Sequence, residues 1–317
     1  MAGAISGTAI TNSPEIRQDL STITLTINCL CNYKCPHCYL DYSSIEKYIC
    51  DNVIDKIFQL GFRHLAVVGK EPFADKNSVN ISRQLVELCY KNNKSISFVT
   101  NGLNLDLLQD IDLQKIKYLD ISFDGGIQSY NLYRGGDINK ILKNISLLQD
   151  NGLKEVNALH VLTNRTIYFL SDMIELNSYI YFNKMMFSPY LDTHSVKAHG
   201  KQKLSLEEIL GVLKKNNDFM KASNAFLLLD KYNFVSEQDL TLENIELFIK
   251  ELDLKNKILL FKEDPIQYGF LRITYNGFVL TPTDSLNTSE YDMKRIPINE
   301  FTNDTFCKML LEINKLK

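Results

Sequence analysis

From Thr22 to Tyr190 the chain repeats one pattern: a short apolar run, a turn, then a stretch of helical period. Ile23, Leu25 and Ile27 alternate on one face of the first run. Helical spacing follows from Glu46 to Leu60, with Gly61 placed to end it. Leu65 to Val68 is apolar throughout, as in a strand buried on both faces. A second helix is expected from Val79 to Lys91, and a strand from Ile96 to Thr100 stops at Asn101-Gly102. Tyr118 to Phe123, Val156 to Leu162 and Lys184 to Ser188 complete six strands, with a helix from Ile138 to Gln149 among them. Strands in steady alternation with helices predict a parallel sheet with helical crossovers. A doubly wound open sheet and a barrel both satisfy that pattern.

After Asp192 the pattern changes. His194 to Lys203 is polar and reads as a loop. Helices are expected near Leu206–Lys215 and Leu242–Leu252. Asn276-Gly277 between two apolar runs, Phe270 to Tyr275 and Phe278 to Thr281, is a strong hairpin signal. A last helix should cover Asn303 to Lys315. The expected organisation is an extension over 1–21, an α/β core over 22–192 and a small α+β cap over 193–317.

Charge and hydropathy exclude some classes. The net charge is −3 and no long basic run occurs, which argues against nucleic acid as partner. No apolar stretch approaches the ~20 residues of a membrane span. No basic region precedes the apolar piece Ala4 to Ile10, so no secretory signal is read and the cytoplasm is the expected compartment. The seven cysteines are unevenly placed, which in a reducing compartment favours metal binding or catalysis over disulfides.

Three of them form Cys31-Asn-Tyr-Lys-Cys35-Pro-His-Cys38, a CxxxCxxC segment just after the first strand. Thiolates are the usual ligands of iron–sulfur clusters. Three ligands leave one corner of a cubane open to a substrate. Zinc, with Cys29 as a fourth ligand, and a motif without metal are the competing readings.

The motif resembles that of the radical S-adenosylmethionine (radical SAM) superfamily, and the likeness continues through further strand ends. The second strand ends Gly69-Lys70-Glu71-Pro72, similar to the family's Gly-Gly-Glu-Pro with Lys70 replacing a glycine. The third ends Thr100-Asn101-Gly102. The fourth reads Ser122-Phe123-Asp124-Gly125 and is followed by Arg134-Gly135. The sixth ends Ser188-Pro189. This ordered set at strand C-termini, where α/β architectures gather their sites, implies a partial (β/α)6 TIM-like barrel.

The resemblance implies one [4Fe–4S] cluster on Cys31, Cys35 and Cys38, and S-adenosylmethionine chelated at the fourth iron. It implies His37 against the adenine. The methionine amino group falls to the backbone of Gly69, Lys70 and Glu71, Ser122 lies at the ribose or carboxylate, and Arg134 pairs with the carboxylate. Asn101, Asp124, Ser188 and Pro189 complete the cofactor pocket. The hairpin is similar to the family's SPASM or twitch extensions, yet Thr281 stands where a cluster cysteine is often found. A single cluster and a redox-neutral reaction are therefore expected. Cys307 is a candidate hydrogen donor and otherwise a helix-packing thiol, and His160 either touches substrate or is structural. The implied partners are a small-molecule or peptide substrate and an electron donor such as flavodoxin or ferredoxin. Nucleotide or tRNA modification, and a non-catalytic iron–sulfur sensor, are the alternatives.

Overall fold

The computed structural model describes residues 19–38, 47–127, 129–170, 172–173, 176, 182–190, 204–230, 242–261, 265–281 and 294–315. The expected polar loop after Asp192 and most of the N-terminal extension lie outside them.

The expected strands are present as β1 (Thr22–Leu25), β2 (His64–Val67), β3 (Ser95–Thr100), β4 (Ile116–Ser122), β5 (Val156–Leu162) and β6 (Lys184–Pro189). They pair in parallel in sequence order. The sheet then continues into β7 (Ala225–Asp230) and β8 (Ile258–Phe261), also parallel. The hairpin joins the other edge. Its first strand, β9 (Phe270–Ile273), runs parallel to β1, and β10 (Phe278–Thr281) and β11 (Lys294–Pro297) follow antiparallel. The result is an open eleven-stranded sheet in the order β11-β10-β9-β1-β2-β3-β4-β5-β6-β7-β8. The partial-barrel class expected from the sequence holds, with the parallel run longer than six strands.

Side chains alternate across a strand, so the register separates two faces. One face carries Ile23, Leu25, Leu65, Val67, Ile96, Phe98, Leu119, Ile121 and Ala158, all essentially buried. These meet the apolar stripes of the crossover helices α1 (Asp51–Phe58), α2 (Lys76–Lys91), α3 (Tyr130–Arg134) and α4 (Ile138–Asp150). Val53, Ile54 and Ile57 of α1 and Ile141, Ile145 and Leu148 of α4 show the three- and four-residue spacing this requires. Capping sets where two helices begin. Asp75 accepts from the Ser78 amide at 2.9 Å, and Asp137 from the Lys140 amide at 3.2 Å.

The opposite face is polar at one side and apolar at the other. From β1 to β5 it presents Thr22, Thr24, His64, Ser97, Tyr118, Asp120 and Asn157. His64 bonds Ser95 Oγ through Nδ1 (2.8 Å), and Ser97 Oγ (2.9 Å) and Tyr118 Oη (3.1 Å) through Nε2. Burial pushes its pKa down to about 3, which keeps the ring neutral. Toward β8 the face turns into a second apolar cluster of Met186, Leu228, Leu259, Phe261 and Tyr268.

The helix expected from Glu46 starts later, at Asp51. Ile49 donates to Ile27 O (2.8 Å), Cys29 donates to Lys47 O (3.1 Å), and Asn28 bridges Tyr48. Residues 47–49 are thus extended beside the exit of β1, ahead of the helix. Gln59, not Gly61, caps α1. Helices α5 (Leu206–Lys215), α6 (Asn217–Ala222) and α7 (Leu242–Glu251) surround β7, and α8 (Asn303–Lys315) closes the described chain. Among the described residues no helix is long and apolar enough to cross a membrane.

Candidate active site

The cysteine loop leaves β1 through Asn28, which is buried. Its Nδ2 donates to Glu71 O (2.8 Å) and Ser78 Oγ (2.9 Å), and its Oδ1 accepts from the Leu30 amide (3.1 Å). Cys31 is exposed, and Cys35 and Cys38 are half-buried. The Cys38 amide closes a turn on Cys35 O at 3.1 Å.

The thiols feel one another. Although Cys31 reaches the surface, desolvation by the protein around its thiol raises its pKa, the Tyr33 amide opposes this, and Glu71 and Cys38 add to it. Burial pushes Cys35 up to about 11, with Arg134 opposing and Asp124, Cys38 and Cys31 adding. The Cys31 and Cys35 thiols thus keep their protons at neutral pH, so a metal would have to displace them. Among the described residues no three His, Cys, Asp or Glu side chains are grouped as a site for one metal ion. Three thiols on one loop match the donor count of a cluster in which each ligates a different iron, whereas a tetrahedral zinc site needs four donors. The donor set therefore fits the implied cluster.

The β2 exit lies beside this loop. Gly69 has φ +112°, and a Cβ there would collide with Thr26 Cγ2, so glycine is required. Lys70 follows, half-buried. Glu71 is 1% exposed and accepts three hydrogen bonds: from the Phe73 amide (3.0 Å), the Thr100 hydroxyl (2.7 Å) and the Asn101 amide (2.8 Å). Burial raises it to about 7 against these donors. Glu71 thus joins the ends of β2 and β3. Asn101 in turn donates from Nδ2 to Asn32 Oδ1 at 2.6 Å, with Cys31 Sγ 3.9 Å away.

The β4 exit carries a buried ionic cluster. Asp124 is fully buried. Its Oδ2 accepts from Arg134 Nε (2.7 Å) and Nη2 (2.6 Å) and lies 2.9 Å from His37 Nε2. Its Oδ1 accepts from the Val161 amide at 2.7 Å. Burial alone would favour the neutral acid, but Arg134 and then His37 together hold the carboxyl well below its usual range. Asp124 likewise holds the Arg134 guanidinium above its usual range against burial. His37 is 7% exposed and stacks on Tyr133, with ring centroids 6.4 Å apart.

The sequence-expected residues around β1 to β4 come together here: Cys31, Cys35, Cys38, His37, Gly69, Lys70, Glu71, Asn101, Ser122, Asp124 and Arg134. Ser188 and Pro189 end β6, paired with Val161 and Leu162 of β5. Arg134, expected at a cosubstrate carboxylate, has Nε and Nη2 engaged by Asp124. Cys307 is exposed on α8, whose Asn303 accepts from the Gly61 amide ahead of β2, at the other end of the strands from the cysteine loop. His160 shares its face with Ala158 and Leu162, sits edge-on to Phe187 at 5.4 Å, and bonds Phe123 O through Nδ1, the structural alternative. Sequence reasoning assigned no role to Asn28, Asn32 or Thr26, and it quoted Thr100 only as part of the strand-end motif. Asn32 lies inside the motif, but nothing in its spacing announces a partner 69 residues away.

Residues 25–170 match the model of the Radical SAM superfamily. A probable GTP 3′,8-cyclase of Methanococcus aeolicus is 22% identical over 168 residues, 50% of this chain and 56% of that protein. The antilisterial bacteriocin subtilosin biosynthesis protein AlbA of Bacillus subtilis is 30% identical over 138 residues, 39% of this chain and 29% of AlbA. The chain thus spans little more than half of the first relative and under a third of the second. Among solved structures, Streptococcus suis SuiB bound to precursor peptide SuiA aligns with TM-score 0.66 at 12% identity, covering 92% of this chain and 65% of that one. SuiB has also been solved bound to S-adenosylmethionine.

Proposed function

Because residues 25–170 place this chain in the radical SAM superfamily, an enzyme family that uses a [4Fe–4S] cluster and S-adenosylmethionine, we propose that it modifies a peptide by hydrogen abstraction. Cys31, Cys35 and Cys38 would hold one cluster. Bound together, cluster and cosubstrate supply a 5′-deoxyadenosyl radical through reductive cleavage of the sulfonium.

The protein's own part is binding and placement. Gly69 allows the β2 exit to lie flat against Thr26, so that backbone of Gly69 and Lys70 can meet an amino acid moiety. Glu71 locks that exit to Thr100 and Asn101. Asp124 with Arg134 closes the β4 end as a neutral pair. Ser122, Ser188 and Pro189 line further strand ends.

The observation that carries the reading is three thiols on one loop, held against the C-terminal ends of β3 and β4. The peptide class is supported by the bacteriocin role in AlbA's name and by the precursor peptide in the SuiB complex. A nucleotide substrate is the second reading, favoured by the cyclase match across the same core. A flavodoxin or ferredoxin would supply the electron, in a compartment that keeps thiols reduced.

The test is anaerobic reconstitution with iron and sulfide, followed by dithionite and S-adenosylmethionine. The expected product is 5′-deoxyadenosine, well above a Cys35→Ala control. No excess over that control leaves only a sensor. Zinc in place of sulfide-bridged iron in anaerobically purified protein removes the reading altogether. Deuterium transfer into 5′-deoxyadenosine from a labelled peptide or from labelled GTP separates the two substrate classes.

A further inference from the structure

Two of the ties between the cysteine loop and the barrel adjoin an outer cysteine. Asn32, directly after Cys31, accepts from Asn101 Nδ2 at 2.6 Å. His37, directly before Cys38, donates from Nε2 to Asp124 Oδ2 at 2.9 Å. Both anchors are themselves fixed. The Asn101 amide donates to Glu71 Oε2 (2.8 Å), and its Oδ1 accepts from the Leu103 amide (3.0 Å). Asp124 is fully buried, charge-balanced by Arg134 and gripped by the Val161 amide. The anchors follow β3 and β4, which are neighbours paired at Thr100 and Ile121. Their separation is therefore set by the sheet and not by the loop.

We propose that Asn32 and His37 are positioning residues that hold the Cys31 and Cys38 sulfurs apart in ligating geometry before any cluster arrives. The proposal rests on the reading that this loop ligates an iron–sulfur cluster. A free loop would lose conformational entropy on binding. A tied loop has already lost it during folding, so the cluster binds more tightly and leaves more slowly. The two ties differ in kind. His37 donates to a carboxylate, which makes a stronger bond than one between two amides.

The test uses the anaerobically reconstituted full chain and three single variants. His37→Phe keeps a ring to stack on Tyr133 but loses the donor. His37→Gln keeps a donor. Asn32→Ala removes the first tie at an exposed position. The readouts are iron and sulfide content, the rate of iron loss to bathophenanthroline, and the electron paramagnetic resonance spectrum of the dithionite-reduced protein.

We expect Asn32→Ala to speed iron loss up to roughly ten-fold, as loss of one net neutral hydrogen bond would, and His37→Phe to speed it more, roughly ten- to a hundred-fold, as loss of a bond to a charged group would; both should broaden the spectrum. The double variant should exceed either single variant, and His37→Gln should return most of the way to wild type. If His37→Phe fails to fold, Asn32→Ala carries the test alone. Wild-type iron loss and an unchanged spectrum in the variants overturn the proposal while leaving the function intact. A wild-type chain that takes up no iron–sulfur cluster overturns both.

Discussion

Glu71 ionises against its surroundings, and that has a measurable consequence for stability. Its carboxyl is buried, and burial raises the pKa from 4.5 to about 7 although three donors point at it. A carboxyl that holds its proton more tightly in the fold than in the unfolded chain makes the fold lose stability as pH rises. The loss begins near 4.5, where the unfolded chain ionises first, and is complete near 7. At 1.36 kcal/mol per pH unit this interval corresponds to ~3 kcal/mol. Glu71→Gln abolishes the titration. Its Oε1 still serves Phe73 and Thr100, but its amide nitrogen faces the Asn101 N–H, at a cost of about 1–3 kcal/mol at any pH. His64 titrates with the opposite sense: burial lowers it to about 3, so it contributes stability above 6.5 that is lost as pH falls. His64 is present in both proteins and cancels from their difference. The assay is urea unfolding of metal-free wild type and Glu71→Gln under reductant at pH 5 and pH 7.5. The deficit of the variant should shrink by about 2 kcal/mol between the two. A deficit that stays constant would mean that the three donors outweigh burial and that Glu71 is already ionised at pH 5.

Two further substitutions test the neighbouring strand ends. Asp124→Ala leaves the Arg134 guanidinium, 9% exposed, without its counter-ion; urea unfolding should report a loss of about 3–5 kcal/mol, and a loss under about 1 kcal/mol would show that Arg134 finds another partner. Gly69→Ala should cost about 1–3 kcal/mol from its φ of +112° alone, with more from Thr26. Adding Thr26→Ser, which removes Cγ2 but keeps the Cβ that would lie at 2.9 Å, should restore only part of the steric cost, and full restoration would refute the backbone component.

Much of this site was legible because its signals are local. The three cysteines lie within eight residues; Gly69, Asn101 and Asp124 each directly follow a short strand-like run bounded by turn residues, and Glu71 lies two residues after Gly69. The strand after Asp192 was harder to see. Ala225–Asp230 and Ile258–Phe261 are short apolar runs without alternation, and such runs do not distinguish strand from buried helix. They became strands because β6 offered an open edge, which is a property of the assembled sheet.

The same division bears on Arg134. Its position ten residues after Asp124 reads equally well as a ligand-binding arginine or as a partner for that aspartate. The choice depends on burial. Once the β4 end is sealed by β5 and the cysteine loop folds over it, an unpaired Asp124 would be far costlier than an unused arginine. His37 then completes the same carboxylate from 87 residues upstream. One buried charge thus determines the orientation of both the arginine and the cysteine loop. A motif read along the chain records the members of this cluster, whereas their roles are assigned by which of them is most deeply withdrawn from water.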